Sequence, residues 1–316
     1  MYTSVRERVE TLNDLDHLKK QIEDIRNQLH AAFQGKCKFS DPEVHRLSVQ
    51  LDRVLFEYQS CLQSSFMRQF RCEVINPVLW RDIELFPLYQ QIVRLTEPST
   101  EFAYEATIRG KTPSGKHIPP SVLFRQAGQE QMLLDYIARH IAIREAVPLI
   151  KDSSLLFLNC HVLSLQAGFI FEDVSKLEVP ITQLVLEITE QTRIKNVAVL
   201  KRELDTLRKQ GLKIALDDFG AGFSNFGLVE AFQPDYIKLD RSIISSLDHS
   251  DQSRRVMEGM VAFAEKVKTI LIAEGIEREE QRNILVELGV TYGQGFFLGY
   301  PFILTKKRHH QRKRDS

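Results

Sequence analysis

Residues 213–226 read KIALDDFGAGFSNF, an apolar β-prone run that ends on two adjacent carboxylates, Asp217 and Asp218, and passes into a loop with two glycines. Adjacent ionised acids are costly to bury alone, so they are solvated, cap a helix, or hold something strongly positive. Working outward, seven more short runs of this kind follow Pro77. They are LYQQIV from Leu88, AYEATI from Ala103, LLFLNC from Leu155, LVLEI from Leu184, YIKLD from Tyr236, ILIAE from Ile270 and TYGQGFFL from Thr291. Eight β-runs separated by helical or mixed stretches predict an α/β fold, a closed TIM-like β/α barrel.

In such barrels the chemistry lies at the C-terminal ends of the strands. Most of the runs end on, or carry, a polar residue: Glu105 in the second, Asn159 in the third, Glu187 and then Glu190 in the fourth. Asp217 and Asp218 close the fifth, Lys238 and Asp240 the sixth and Glu274 the seventh, with Gln90 and Gln294 flanking the set. Taken singly, an Asp-Asp before a glycine loop is a turn or cap, and a lone lysine a surface charge. Convergence on one barrel mouth changes that, because the acids repel one another unless cations compensate. Oxygen ligands without a His/Cys cluster select hard ions, Mg²⁺ or Mn²⁺. With one carboxylate bridging two ions and its neighbour holding the second, the pair suits two-metal phosphoryl transfer.

Two rival readings fit poorly. Gly220-Ala-Gly222 after a strand, with Asp240 downstream, resembles a dinucleotide fingerprint, but Asn225 stands at the third glycine and two acids precede the loop, where they would repel a pyrophosphate. GFSNFG is not the Gly-x-Ser-x-Gly elbow of a serine hydrolase.

The chain has 316 residues, 43% of them hydrophobic, enough for one large core and a smaller unit. Its 42 basic and 42 acidic side chains cancel, so bulk charge draws it to neither a nucleic acid polymer nor a membrane surface. The N-terminus lacks the apolar core of a signal peptide and no run is long enough to span a membrane, so a cytoplasmic location is expected. Four scattered cysteines without a Cys-x-x-Cys argue against a zinc site or disulfide framework.

Ahead of the barrel, Leu15, Leu18, Ile22, Ile25 and Leu29 form one helical stripe, and Val44, Leu47, Leu51, Val54, Tyr58 and Leu62 a second. Ser40 and Glu43 between them have capping-box spacing, with Pro42 suited to a first turn. Residues 1–75 are therefore expected to be an antiparallel helical hairpin, residues 76–303 the barrel and residues 304–316 a solvated basic tail. The stripes suit mutual packing or a dimer seam, and a homodimer is expected.

The blocks YQQIV, YEATIRG, LNCH, LEITE, LDDFGAGFSNF, PDYIKLDRSII, IAEGIE and GQGFFLGYP stand in the order and approximate spacing of the EAL-type cyclic di-GMP phosphodiesterases, which the chain resembles over about Leu85 to Pro301. The resemblance implies hydrolysis of one phosphodiester of cyclic di-GMP to linear pGpG. It implies that Glu105, Asn159, Glu187 and Asp217 ligate a first metal, and Asp217 with Asp218 a second. It assigns Glu274 as base or water orienter, Lys238 to the reactive water and phosphate region, and Glu190 to support of the loop after Asp218. Gln90, Arg109, Glu277 and Gln294 match substrate or pocket positions. The chain departs from the family at Thr107, where the namesake leucine stands, at Gly110 for a frequent tryptophan and at Gln91 for proline. None removes a ligand, and Thr107 places a hydroxyl beside a normally apolar wall.

Residues 18–59 resemble the small sporulation-type aspartyl-phosphate phosphatases, helical hairpins that act on response regulators. Their Ser-Gln-Glu-Leu-Asp signature meets Ser48, Val49, Gln50, Leu51 and Asp52, matching at Ser48, Leu51 and Asp52. The resemblance implies a response regulator as partner. Val49 and Gln50 favour docking or dimerisation over catalysis. A non-catalytic receptor for the dinucleotide, and a phosphatase hairpin on an inert barrel, are the alternatives.

Overall fold

The computed structural model describes residues 17–29, 31–32, 43–44, 46–47, 49–51, 54 and 78–304, apart from 152, 162–163, 166–176, 190–196 and 222–225. Two compact units are present, Met1–Pro77 with Ala127–Leu133, and Val78–Gln126 with Leu134–Ser316.

In the first unit residues 17–29 are helical, as are the described positions between 43 and 54. The two predicted stripes meet: Ile22, Ile25, Leu47 and Val54 form a buried cluster against which Leu18, Leu29 and Leu51 pack. Leu51 of the hairpin signature is thus a packing residue, whereas Ser48 and Asp52 lie outside the described residues. Val49 is exposed.

From Val78 the chain runs β1 (Val78–Trp80), β2 (Ile83–Arg94), β3 (Glu97–Lys111), β4 (His117–Ile118), α1 (Pro120–Ala127), α2 (Gln131–Ala146), β5 (Leu155–Asn159) and β6 (Leu184–Thr189). It continues through α3 (Val197–Arg208), β7 (Lys213–Phe219), α4 (Phe226–Phe232), β8 (Tyr236–Leu239), α5 (Arg241–Ile244), α6 (Asp251–Val267), β9 (Ile270–Ala273), α7 (Glu279–Glu287) and β10 (Tyr292–Gly293). The sheet order is β1-β2-β10-β9-β8-β7-β6-β5-β3-β4, and pairing of β2 with β3 closes the eight middle strands into a barrel. All eight predicted runs are staves of it.

One stave differs from the expected alternation of strand and helix. Only Leu95 and Thr96 separate β2 from β3, and a parallel pair needs a crossover of a dozen residues or more. Accordingly β2 runs antiparallel to both β3 and β10. The pairs from β3–β5 round to β9–β10 are parallel. Strands with helices on their outer face are buried on both sides, and β5, β6 and β8 read as nearly continuous apolar runs for that reason.

Candidate functional site

The barrel interior is plugged by Ile92, Ala103, Phe157, Val185, Ala215, Tyr236, Ile272 and Tyr292, which pack together with Leu155. Side chains two residues apart on a strand share a face. Stepping two residues onward therefore stacks a second layer on the plug: Glu105, Asn159, Glu187, Asp217, Lys238, Glu274 and Gln294. On the antiparallel stave the step runs backward, from Ile92 to Gln90. An apolar layer thus sits directly beneath a polar one at the mouth.

Adjacent side chains on a strand normally face opposite ways, yet Asp217 and Asp218 both line the mouth cavity. A bulge in β7 explains this. Leu216 pairs with Ile237 and Phe219 with Leu239, so two aspartates stand opposite the single Lys238. Asp218 takes φ +56°, a conformation that aspartate tolerates better than bulkier residues.

Lys238, fully buried, is shared by four carboxylates. Its Nζ lies 2.6 Å from Glu187 Oε1, 2.7 Å from Glu274 Oε1, 3.1 Å from Glu105 Oε2 and 3.2 Å from Asp217 Oδ1. Gln294 Nε2 donates to Glu105 Oε2 at 2.8 Å and to Gln90 Oε1 at 2.9 Å, and Asn159 Nδ2 reaches Glu105 Oε1 at 3.4 Å.

This crowding sets the proton affinities. Burial opposes the charge on Glu105, but Lys238 and the hydrogen bonds from Gln294 and Asn159 prevail and hold its carboxyl below the usual range. Burial, with Glu105 and Asp217 nearby, pushes Glu187 well above the usual range despite Lys238. Burial and the charges of Asp217 and Asp240 raise Asp218 to about 6, while burial with Asp217 and Glu105 raises Glu274 to about 8. Burial disfavours the charge on Lys238, yet its carboxylates keep it firmly protonated.

Four carboxylates (Glu105, Glu187, Asp217 and Glu274) therefore share one ammonium, and Asp218 adds a fifth beside them, a deficit of positive charge that added cations would relieve. The donors suit a hard divalent ion. One oxygen from each of Asp217, Asp218 and Glu274 lies within 4.8 Å of the others, and among the described residues Glu187 Oε2 is buried with no hydrogen-bond partner. The cavity above them, of about 300 Å³, is lined also by Gln90, Asp240, Arg241, Glu277 and Phe296.

Against this geometry, the EAL domain profile matches residues 78–301. The chain belongs to the EAL domain family. Residues 18–60 match the Spo0E like sporulation regulatory protein family. The probable cyclic di-GMP phosphodiesterase PdeG of Escherichia coli (strain K12) is 28% identical over 235 residues, 69% of this chain and 45% of that protein. Cyclic di-GMP phosphodiesterase PdeL of the same organism is 30% identical over 207 residues, 62% and 57% of the two chains. The chain spans about half the length of the curated relatives it matches. Among solved structures, the PaMucR phosphodiesterase in complex with c-di-GMP superposes with a TM-score of 0.62 at 25% identity, over 70% of this chain and 92% of that one. Klebsiella pneumoniae BlrP1 in a manganese/cy-diGMP complex gives 0.61 at 25% identity, over 76% and 65%.

Of the residues that the EAL resemblance singles out, Gln90, Glu105, Asp217, Asp218, Lys238, Glu274, Glu277 and Gln294 line one cavity. Glu187 joins them through Lys238 and Asn159 through Glu105. Arg109 is not brought into that lining: it follows Glu105 by four residues on β3, and its Nη1 donates to the neighbouring Ile108 carbonyl at 2.9 Å. Glu190 lies outside the described residues. Asp240 serves as the N-cap of α5, accepting from the Ser242 amide at 2.9 Å. Arg241 and Phe296 were not picked out from the sequence. Both follow a strand by a short step, which is the one signal that could have found them.

The EAL departures also find their places. Thr107 Oγ1 lies 3.5 Å from Glu105 Oε1, and Thr107 lines a second cavity of about 230 Å³ bounded by Phe124, Asn159 and His161. At Gly110 a Cβ would meet Ile83 Cγ2 at 2.7 Å and Leu123 Cδ2 at 2.9 Å, so these side chains fill the space that a larger residue would take. Gln91 donates its amide to the Leu298 carbonyl.

Proposed function

We propose that the barrel hydrolyses one phosphodiester of cyclic di-GMP to linear pGpG, using Mg²⁺ or Mn²⁺ as a pair of ions. The observation that carries this reading is the gathering of four carboxylates on the buried Lys238 at the barrel mouth, with Asp218 beside them. The names of the EAL relatives and the nucleotide held by the similar structures supply the substrate class.

In this reading Glu105, Asn159, Glu187 and Asp217 would hold one ion, and Asp217 with Asp218 the other. Bound divalent cations supply Lewis-acid neutralisation of the phosphodiester charge. Glu274, fixed by Lys238 Nζ at 2.7 Å, takes a proton from the attacking water. The water oxygen forms the new bond to phosphorus, the ribose 3′ oxygen leaves, and the proton returns to that oxygen. Lys238 holds Glu105, Glu187 and Asp217 in register and stabilises negative charge on the phosphoryl oxygens. Gln294 positions Glu105, Gln90 and Glu277 contact substrate from the cavity wall, and Arg109 supplies a guanidinium for a phosphate oxygen. Glu190 supports the loop after Asp218.

Residues 1–75 act in this reading as a docking or dimerisation hairpin that takes a response regulator and modulates the barrel of residues 76–303. The Spo0E-like match and the packed apolar stripe support it. The protein works in the cytoplasm; among the described residues no helix is long and apolar enough to cross a membrane.

Role separation tests the chemistry. Asp217→Asn is expected to weaken divalent-ion binding by calorimetry as well as turnover, whereas Glu274→Gln loses turnover 100-fold or more, on the order of general-base effects, with substrate affinity largely kept. Equal loss of substrate affinity in both variants would remove Glu274 from the role of base.

A further inference from the structure

Beyond the acid cluster, the rim of the mouth cavity carries two aromatic rings exposed to solvent. Phe296 lines the cavity and is 53% exposed; Tyr300 is 71% exposed. Their centroids lie 5.0 Å apart with an interplanar angle of 21°, so they stack on each other. Burying aromatic area is favourable, and a chain gains nothing for its fold by holding two stacked rings in water beside a polar cavity.

The loop beneath them is tied down at many points. The Gln294 amide donates to the Ala273 carbonyl at 2.8 Å, the Phe297 amide to Ile276 at 3.0 Å, and the Leu298 and Gly299 amides both to Gly295 at 3.0 Å. Tyr89 and Phe302 exchange two backbone hydrogen bonds of 2.9 Å at its far end. From β2, the Gln90 amide donates to the Gly299 carbonyl at 2.9 Å and the Gln91 amide to Leu298. Gly295 lies so close to Ile276 that a Cβ would fall 2.1 Å from its carbonyl oxygen. Gln91, one of the departures read from the sequence, thus serves to hold the loop that presents the rings.

Resting on the phosphodiesterase reading, we infer that the Phe296–Tyr300 pair is a preformed stacking platform for one purine base of the substrate. A flat π-face accepts a base without hydrogen-bond readout, and a platform fixed before binding loses little entropy on doing so. The acid layer handles the phosphodiester, and the platform sets where the attached nucleoside lies.

The test uses the full chain with Mn²⁺ and a cyclic dinucleotide in which 2-aminopurine replaces one guanine, because stacking on an aromatic ring quenches 2-aminopurine emission. Wild type is expected to quench the probe on mixing. Phe296→Ala and Tyr300→Ala are expected to lose the quenching and to raise KM for cyclic di-GMP roughly 5- to 100-fold, with a smaller change in kcat. Tyr300→Phe and Phe296→Tyr should restore both. The platform is overturned if either alanine variant matches wild type in KM and quenching. It is also overturned if wild type hydrolyses the probe without quenching it, a result that needs no variant to fold and leaves the phosphodiesterase reading standing. A wild type that neither binds nor hydrolyses any cyclic dinucleotide overturns both.

Discussion

Lys238 shows how much one residue depends on its surroundings. An ammonium buried this deeply is costly alone, and so are carboxylates at the same depth; here each offsets the other. Removing the cation leaves Glu187, itself buried, uncompensated. Lys238→Met is therefore expected to lose turnover and to lower unfolding free energy by roughly 3 kcal/mol in chelator. Added Mn²⁺ should recover part of that stability, read by urea melts with and without the ion. A variant as stable as wild type in chelator would mean that the carboxylates are protonated enough to need no cation. The acids of this site were legible in sequence because each sits two residues beyond an apolar plug residue on a strand. Asp218 was legible only as Asp217's neighbour: the bulge that turns both to one side depends on pairing with β8, which no local pattern encodes. Arg109 was placed with the substrate contacts by its motif; in the structure its Nη1 donates to the Ile108 carbonyl, a single bond from a group with five N–H donors.

At the scale of elements, the eight β-runs could be counted from the chain, but the direction of the first could not be read from periodicity, which is the same for a strand run either way. The two-residue link to β3 decides it, and sets Gln90 opposite Glu105. The outer helices bring a different test. On α2, His140 lies with Nδ1 2.9 Å from the Tyr136 carbonyl and its ring 3.9 Å from the Tyr136 ring. Burial first, and then the charge of Arg139, hold its pKa down to about 4 against an ordinary 6.5. Between those values the unfolded chain binds the proton and the folded chain does not. Stability from His140 is thus full above pH 6.5 and is lost as pH falls toward 4, by at most roughly 3 kcal/mol. Urea melts at pH 7.5 and 5 should show this loss in wild type and a smaller one in His140→Gln; identical slopes would remove His140 as the cause.

For the whole molecule, the question is what the first 75 residues do for the barrel. The hairpin stripes were plain in the sequence because each repeats over several turns, and both are seen packed. The signature beside them was ambiguous, since Val49 cannot position a water and is exposed on the surface. Full-length protein is expected to differ from a chain beginning near Asn76 in native mass or in turnover of cyclic di-GMP, with at most slow decay of a phosphorylated response regulator. Unchanged mass and turnover, together with fast decay lost in Asp52→Ala, would make the hairpin an enzyme in its own right.

If the carboxylates gathered on Lys238 make a metal-dependent phosphodiesterase, chromatography of the nucleotides will show it after purified full-length protein is incubated with cyclic di-GMP in Mg²⁺, in Mn²⁺ and in excess chelator. The expected result is pGpG with either ion, none with chelator, and recovery when the ion is restored. Turnover that persists in chelator, or intact cyclic di-GMP under both ions despite tight binding, would contradict it; the second result would make the barrel a receptor.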